Sequence, residues 1–454
     1  MVLISVNSCI KNCLSKTKID RVECIGFSVL GAGIIPVDRK YNPLYNCITA
    51  LDNRSLPQIN KLNKNFGKFN LYKITGMPSN PFCVINKIMW FKEKLPEIYK
   101  NTWKFINLEA FIRLKWGIEP YIDYSLASST MALDLNTKSW SEKLLNFADI
   151  NLDLLPVLSE SSTVIGEVNK KTAEDLGFEK GVKVIAGAHD QVCGALGAGV
   201  IKKGIALDST GTVEAIAPFL EKPILTKKML NAGVLWEFNI SSNSYIGYAA
   251  NFTAGSVLRW YRDTFCENEI TIAKRENKNV YDLILPQDYS KPSKILTLPH
   301  FSGNISPWND PISKGVIIGL SLNTSKKEIA KSIIDCITYE ARQLIEVFEE
   351  NLIKIDELRA IGGASKDKKW LQLKADITGK LVAVPEVIEA SCLGAAILAA
   401  NGNRVFKSIK DSVDSMVRVN EIFYPNKKHY KVFSEKYFLY KKLYPLLKDY
   451  LHEL

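Results

Sequence analysis

The sequence predicts an α/β fold divided into two domains. Stretches typical of strands alternate with stretches of helical periodicity along much of the chain. The length of 454 residues exceeds the roughly 100–200 residues of an ordinary domain. No apolar stretch approaches the about 18 residues that cross a bilayer, so we expect no membrane partner. The expected domains cover residues 1–202 and 203–454.

The first domain mixes short strands with helices of clear apolar periodicity. Its expected elements are a pair of strands over 22–30 and 33–37, a polar turn over 38–42, a helix over 80–99, a helix over 140–147 with Ser139 as candidate N-cap, a buried strand over 183–187, and a helix of small residues over 192–200.

The second domain opens with a meander of strands and continues with alternating strands and helices. Its longest expected helix has apolar residues on one face throughout 325–349. The expected elements are strands over 205–207, 213–218, 234–240 and 245–251, a turn over 208–212, the helix over 325–349, a strand over 358–361, a helix over 368–378, a strand over 381–384, a helix over 390–400, and a helix over the last thirty residues.

Charge and cysteine usage exclude several classes of protein. The net charge is +11, but the lysines are scattered, so we interpret them as a solvated surface and expect no nucleic-acid partner. Nine cysteines without a CxxC pair, several in apolar surroundings such as Cys193 and Cys392, favour reduced thiols in a cytoplasmic protein. The start of the chain lacks the pattern of a signal peptide. Four histidines and no HExxH predict no protein metal site.

The segment Gly187-Ala188-His189-Asp190-Gln191 is the first motif that carries chemistry. It follows a buried strand and precedes a helix, the position at which α/β proteins bind ligands. Asp190 is therefore a candidate general base toward a substrate hydroxyl. From spacing alone, an aspartate that only caps the following helix is an equal alternative.

Two further motifs contain glycines at turns. Leu207-Asp208-Ser209-Thr210-Gly211-Thr212 would present backbone N–H groups and hydroxyls to phosphate oxygens, and Ile361-Gly362-Gly363-Ala364-Ser365 would let a nucleotide approach the backbone. Ordinary turns are the alternative for each motif taken alone. The sequence contains neither a P-loop motif nor a GxGxxG in a βαβ unit.

Taken together, in this order and spacing, the motifs are specific, and the chain resembles the FGGY family of carbohydrate kinases. The resemblance covers nearly all of the chain and is nearer to xylulokinase-like sugar kinases than to glycerol kinases. It is carried by residues 123–140, 187–199, 207–212, 298–311, 314–322, 360–379 and 389–400. It implies two actin-like ATPase (ribonuclease H-like) domains with a cleft between them.

The resemblance also implies roles for individual residues. Asp190 would take the proton from the sugar hydroxyl that attacks the γ-phosphate of ATP, and His189 and Gln191 would flank the sugar. Mg²⁺ would be bound partly through ATP and water, with no protein ligand assigned. The residues expected to approach the phosphates or line the nucleotide are Asp208, Thr210, Gly211, Thr212, Gly315, Gly362, Gly363, Ala364 and Ser365.

The chain departs from the family pattern at its start. The family opens with a DxGT-type phosphate motif, and no such sequence precedes Ile25. About sixty residues of the family pattern are expected to be absent, which leaves the first domain incomplete. Losing groups that position phosphate would lower the rate by orders of magnitude. A weak or inactive kinase, or a non-catalytic paralogue that binds sugar or nucleotide, is therefore the alternative to an active enzyme.

The substrate side is less specific. Gly31-Ala32-Gly33 stands where xylulokinases have a histidine-bearing segment, which leaves the identity of the sugar open. Asp52 and Arg54 match a family D-x-R pattern near the sugar, and a surface salt pair is an equal alternative. A homodimer and a monomer are both left open.

Overall fold

The computed structural model describes residues 2–17, 21–179, 181–241 and 243–454. Within these residues, the first unit contains short strands and ten α-helices. The strands are β1 (Cys24–Ile25), β2 (Ser28–Val29), β3 (Ile35–Val37), β4 (Lys104–Ile106), β5 (Tyr121–Asp123), β6 (Leu133–Asp134), β7 (Ser139–Trp140), β8 (Val157–Ser159), β9 (Val164–Glu167), β10 (Lys183–Ile185) and β11 (Ala188–His189). The helices are α1 (Val2–Lys16), α2 (Leu56–Phe66), α3 (Lys68–Thr75), α4 (Val84–Lys94), α5 (Pro96–Asn101), α6 (Leu108–Lys115), α7 (Tyr124–Ser128), α8 (Glu142–Ala148), α9 (Lys170–Leu176) and α10 (Asp190–Gly197).

The second unit is built on one large mixed sheet. Its strands are β12 (Gly204–Thr210), β13 (Glu214–Leu220), β14 (Leu235–Phe238), β15 (Tyr245–Asn251), β16 (Leu296–Leu298), β17 (Val316–Ile318), β18 (Ile355–Ile361), β19 (Leu381–Pro385) and β20 (Val419–Phe423). Its helices are α11 (Lys227–Asn231), α12 (Gly255–Phe265), α13 (Glu267–Glu276), α14 (Val280–Ile284), α15 (Lys326–Glu349), α16 (Lys368–Thr378), α17 (Ala390–Gly402), α18 (Ile409–Met416) and α19 (Lys427–Glu453).

The strand order of the large sheet places the phosphate motifs side by side. Over the described residues the order is β14-β15-β13-β12-β18-β19-β20. Strands β12 and β18 are parallel neighbours, with Ser209 opposite Ile361 at their carboxyl ends. Both strands therefore deliver their following loops to the same edge of the sheet, where α/β proteins bind ligands.

Helix α15 supports this sheet as the sequence predicts. Ser325 is its N-cap, and the serine side chain accepts a hydrogen bond from the main-chain N–H of Glu328. Ile333, Ile337 and Leu344 lie on its buried face. The apolar stripe thus packs along the sheet and fixes the strands beneath the site.

Helices α10 and α17 hold the two units together through glycine contacts. A Cβ atom on Gly197 would lie 1.9 Å from the carbonyl oxygen of Ala390, and one on Gly394 would lie 1.9 Å from that of Cys193. Only glycine allows the two backbones to approach this closely. The prediction of small-residue helices in these two segments is therefore confirmed, and their packing fixes the position of the amino end of α10.

Three local predictions are wrong. The strand expected over 22–30 is interrupted and lies parallel to β10 and β11, so it does not pair with the following strand; β3 pairs with β4 instead. Pro96 divides the helix expected over 80–99 into α4 and α5. Ser139 lies in β7, and Ser141 occupies the N-cap position of α8.

The thiols are free, but not all are buried as expected. All nine cysteines are unpaired, and Cys9, Cys13 and Cys392 are exposed. Cys392 lies on the outer face of α17, so the apolar surroundings predicted for it are wrong. In the described part of the chain, none of the helices has the length and apolar character needed to cross a membrane.

Candidate active site

Asp190 is the first residue of α10 and is open to solvent on one side. Its side chain is 40% exposed. Its main-chain carbonyl accepts a hydrogen bond from Ser391 Oγ at 3.0 Å, which ties the start of α10 to α17. A partly exposed carboxylate on a fixed backbone can accept a proton from a bound hydroxyl group.

His189 lies directly beside Asp190 and is largely buried. Its Nε2 is 3.2 Å from Asp190 Oδ1, and its Nδ1 is 2.9 Å from Glu237 Oε2. Its main-chain N–H donates to Ser125 Oγ at 2.9 Å. Burial lowers the pKa of His189, but the carboxylates of Glu237, Asp190 and Asp123 outweigh it and raise the pKa to about 9. The imidazole is therefore a cation at neutral pH.

Glu237 is a residue of the site that the sequence analysis missed. It lies on β14 in the second unit, and only 2% of its side chain is exposed. The one available signal is a carboxylate within the buried, apolar segment Leu235-Trp236-Glu237-Phe238, since buried acids normally have a partner. Nothing in the sequence shows that this partner is a histidine of the other unit.

Two buried carboxylates lie behind the histidine in the first unit. Asp123 caps α7 and contacts the Ser125 hydroxyl that receives the His189 N–H. Burial and the neighbouring Glu109 raise the pKa of Asp123 to about 7. Glu109 in turn lies 3.3 Å from Arg113 and accepts the main-chain N–H of Gly187 at 3.4 Å. To the extent that Asp123 is ionised it favours a cationic His189, while the charge of Glu109 is offset by Arg113.

The remaining residues predicted to contact the sugar fall into two groups. Gln191 follows Asp190 on α10, and its buried Oε1 has no hydrogen-bond partner in the protein. Asp52 and Arg54 pair with each other, with Arg54 Nη2 2.7 Å from Asp52 Oδ2, and the guanidinium lies 4.9 Å from the ring centroid of Trp90. Arg54 holds the pKa of Asp52 below its usual range.

Lys87 connects the Asp52 region with the Gly31 turn. This buried lysine donates to the carbonyl of Ala32 at 2.7 Å and to that of Thr49 at 2.9 Å. Burial lowers its pKa to about 8. Gly31 packs against the imidazole of His189, because a Cβ atom added to this glycine would lie only 2.9 Å from Nε2.

The predicted phosphate hairpin forms, but its strands are longer than expected. Strand β12 continues through Asp208 to Thr210, and only Gly211, Thr212 and Val213 form the exposed turn. The Gly211 carbonyl accepts the N–H of Gly255 at 3.0 Å. The turn is exposed, but the Gly211 N–H donates to the Val213 carbonyl at 2.9 Å and the Thr212 carbonyl accepts the N–H of Ala254 at 3.0 Å.

Asp208 and Thr210 point into the protein rather than out of the turn. Lys374 from α16 contacts both side chains and lies 2.8 Å from Glu214 Oε1. All four residues are buried. Although burial lowers the pKa of Lys374, Asp208 and Glu214 raise it overall. The two predicted phosphate residues thus form a charged support beneath the loop, and Lys374 and Glu214 were missed in the sequence.

The loop after β18 lies against this hairpin. Gly362 has φ +87°, and a Cβ there would lie 2.6 Å from the carbonyl oxygen of Thr210. Ser365 Oγ donates to the carbonyl of Gly362 at 2.7 Å and so closes the turn. Gly315 packs against the ring of Phe301, where a Cβ would come within 2.4 Å.

A cavity of about 720 Å³ opens beside these loops. Among the predicted residues, Gly211, Thr212, Gly363 and Ala364 line it. Its volume and mixed aromatic and basic walls suit a nucleotide. The other lining side chains that bear charge or aromatic rings are Arg259, Tyr281, Asp282, Tyr289, Lys366, Asp367, Lys368, Lys369 and Trp370.

Helix α10 brings Asp190 to the same edge of the sheet as this cavity. A Cβ on Gly194, one turn after Asp190, would lie 3.4 Å from Ile361 Cδ1 and 4.0 Å from Leu207 Cδ2. These two residues belong to the strands that lead into the phosphate loops. The carboxylate and the loops therefore lie together in space, although the sequence separates them.

Comparison with known proteins decides the family. The model of the N-terminal domain of the FGGY family of carbohydrate kinases matches residues 1–197, and that of the C-terminal domain matches residues 215–402. The chain belongs to the FGGY family of carbohydrate kinases. The sequence-based prediction of family, two-domain α/β fold and carbohydrate kinase is confirmed.

Individual relatives are similar to this chain along most of its length. The kinase is 30% identical over 426 residues to a gluconokinase of Bacillus licheniformis, covering 93% of this chain and 81% of the relative. It is 28% identical over 440 residues to a xylulose kinase of Bacillus subtilis, covering 96% and 85% respectively. The crystal structure of ligand-bound xylulose kinase from Lactobacillus acidophilus matches with a TM-score of 0.88 at 22% identity, covering 98% of this chain and 89% of that one.

Proposed function

We propose that this kinase transfers the γ-phosphoryl group of ATP to a hydroxyl of a pentulose, hexulose or related polyol, with Asp190 as general base. The observation that supports it best is the position of Asp190. It is a half-exposed carboxylate on a helix that packs against the strands leading into both phosphate loops. The neighbouring cavity of about 720 Å³ offers the space that a nucleotide needs.

The reaction would use the chain as follows. Asp190 accepts the proton of the sugar hydroxyl, whose oxygen forms the new bond to the γ-phosphorus while the bond to the β-phosphate oxygen breaks and ADP leaves. The exposed turn at Gly211 and Thr212 lines the cavity, where it would approach the phosphates. Arg259 and Lys366 supply positive charge along the cavity wall. Positioning and charge neutralisation account for most of the rate in such transfers.

Mg²⁺ would enter with ATP. Among the residues that the structure describes, no three or more His, Cys, Asp or Glu side chains are grouped to hold a metal ion. Asp190 offers an exposed carboxylate at the start of α10, and the cation would otherwise be coordinated by phosphate oxygens and water. When bound, it would neutralise charge that develops on the transferring phosphoryl group.

The sugar itself would bind around Asp190. The side chains proposed to contact it are His189 and Gln191, with Asp52 and Arg54 at the outer side. Relatives are named for xylulose and for gluconate. Both ligands carry several hydroxyl groups, and an unpartnered buried Gln191 Oε1 is suited to accept a hydrogen bond from one of them.

The test is a coupled ADP-release assay over a panel of ketoses, polyols and aldonates. Asp190→Asn keeps the shape of the side chain but removes the base, so kcat should fall by about 10²–10⁴-fold. Asp414→Asn is the charge-matched control, because Asp414 forms an exposed pair with Lys410 on α18. Equal turnover by wild type and Asp190→Asn would show that the base is another residue.

The same assay separates the kinase from a protein that only binds. Calorimetric binding of ATP or a sugar, together with no transfer to any acceptor on the panel, would favour a non-catalytic binding protein. The domain boundary at residue 203, the oligomeric state and the cytoplasmic location remain predictions from the sequence.

A further inference from the structure

We propose that Glu237 is a positioning residue for the general base. From the second unit, its carboxylate holds the imidazole of His189 in the doubly protonated form, as an ion-pair partner of Asp190. The catalytic consequence rests on the proposed function, whereas the protonation state of His189 can be measured without it.

The contacts favour a proton on each ring nitrogen, since Nδ1 is hydrogen-bonded to Glu237 and Nε2 faces Asp190 as an ion-pair contact. Glu237 Oε2 lies 2.9 Å from Nδ1, and Asp190 Oδ1 lies 3.2 Å from Nε2. A neutral imidazole has only one N–H group, so it would direct a lone pair at one of the two carboxylates. The doubly protonated ring satisfies both contacts.

The burial of Glu237 makes its partner necessary. Its side chain is 2% exposed, and a buried carboxylate without a partner is strongly unfavourable. The cation on His189 supplies that partner across the junction between the units. The proton on Nδ1 is therefore held by the buried Glu237 more strongly than the proton on Nε2 is held by the more exposed Asp190. When the ring loses a proton, we expect it to leave from Nε2.

The ring has little freedom to turn. Gly31 lies close to one edge, since a Cβ atom added to this glycine would lie 2.9 Å from Nε2. The ring of Tyr248 on β15 stands edge-on at 6.4 Å between centroids. Ser125 Oγ accepts the main-chain N–H of His189. The histidine is thus fixed at its backbone and confined around its side chain.

All the charged groups that face His189 favour its cation. Glu237 approaches from β14, Asp190 from α10 and Asp123 from the start of α7. Glu109 lies behind Asp123 on α6, where the cation of Arg113 at 3.3 Å offsets its charge. Tyr248 faces the ring from β15, and burial raises its pKa well above the usual value, so it stays neutral. Glu237 makes the shortest of the contacts to the ring.

The consequence for catalysis is that the base would be restrained in place. The ion pair at 3.2 Å between Nε2 and Oδ1 would limit the movement of the Asp190 carboxylate beside the bound hydroxyl. Because Glu237 belongs to the second unit and His189 to the first, the base is oriented only while the two units are in contact.

The experiment combines nitrogen NMR with kinetics on the full-length chain. With ¹⁵N-histidine labelling, the four histidines give four pairs of imidazole nitrogen signals, and His189→Gln identifies the pair of interest. In wild type that ring should stay doubly protonated up to about pH 9. In Glu237→Gln it should lose its Nε2 proton at clearly lower pH. Glu350→Gln is the control, since it removes a carboxylate from an exposed pair with Lys228.

The kinetic arm uses the acceptor that wild type phosphorylates best. Glu237→Gln should lower kcat by about tenfold or more while the KM for ATP changes by less than about twofold. Its alkaline pH limit should move to lower pH, and Glu237→Asp should recover part of both effects because it restores the charge. Should Glu237→Gln not fold, Glu237→Asp gives the same readout with a smaller shift.

The outcomes separate the inference from the proposed function. A His189 titration that is unchanged in the Glu237 variants, or an active variant with wild-type kcat and pH profile, overturns the inference. Absence of phosphoryl transfer by wild type to every acceptor overturns the proposed function alone, because the NMR titration still decides whether Glu237 holds the cation.

Discussion

At the scale of single residues, the buried cluster around Lys374 contains two side chains of the predicted phosphate motif. Asp208 and Thr210 belong to a motif that predicts phosphate contacts, yet both side chains face Lys374 inside the protein. What remains beside the cavity is the exposed turn at Gly211 and Thr212. Alternation along a strand explains this, since β12 continues three residues beyond the strand expected over 205–207, which places Asp208 and Thr210 on the same face.

This arrangement predicts a large effect of Lys374→Met on stability. The change leaves the carboxylates of Asp208 and Glu214 buried without their cation, which typically costs about 3–5 kcal/mol. Burial already raises the pKa of Glu214, so the loss should shrink at pH 5, where the orphaned carboxylates take up protons. Urea denaturation at pH 7 and pH 5 measures both effects.

Lys410→Met provides the control for Lys374→Met. Lys410 forms an exposed pair with Asp414 four residues along α18, and such pairs contribute at most about 0.5 kcal/mol. A Lys374→Met variant as stable as Lys410→Met would show that the buried cluster does not support the phosphate loop.

At the scale of elements, the position of Asp190 depends on the packing of α10 against α17. The hydrogen bond from Ser391 to the Asp190 carbonyl and the close approach at Gly197 and Gly394 set where α10 begins. The small residues of both helices could be recognised in the sequence. Their mutual contact could not, because some two hundred residues lie between them.

Gly394→Ala tests this packing, because close packing and helix propensity predict opposite changes in the free energy of unfolding. In an isolated helix the change would stabilise by up to about 1 kcal/mol, because alanine is the better helix former. Here the Cβ would lie 1.9 Å from the Cys193 carbonyl, so the helices must separate and the free energy of unfolding should fall by about 1–3 kcal/mol. The shift of α10 should also lower kcat/KM in the sugar assay.

Cys392→Ala is the matched control on the same helix. Cys392 is exposed, so its replacement should change stability by less than about 0.5 kcal/mol and leave kcat/KM unaltered. Stabilisation by Gly394→Ala would mean that helix propensity outweighs the contact between the units.

At the scale of the whole molecule, the family, the fold and the order of the motifs could be predicted from the sequence, and the contacts between the units could not. Motifs such as the segment at Asp190 are local, so spacing reveals them. The pairing of His189 with Glu237 joins positions 48 residues apart on different units. Similarly, the interruption of the strand expected over 22–30 reflects pairing with the distant β10 and β11, which local propensity does not encode.

The ion pair between His189 and Glu237 gives the whole molecule a pH-dependent stability. The pKa of His189 is raised from 6.5 to about 9 in the folded protein, so folding favours its protonated form. That contribution is complete below pH 6.5 and is lost as the pH rises through 9, because the folded state then binds no more protons than the unfolded one. From that shift we expect about 2–3 kcal/mol to disappear over this window in wild type. Urea denaturation from pH 6.5 to 9.5 measures this effect. Over that range the free energy of unfolding of His189→Gln should fall by about 2–3 kcal/mol less than that of wild type. Parallel curves for the two proteins would show that the histidine does not link the units.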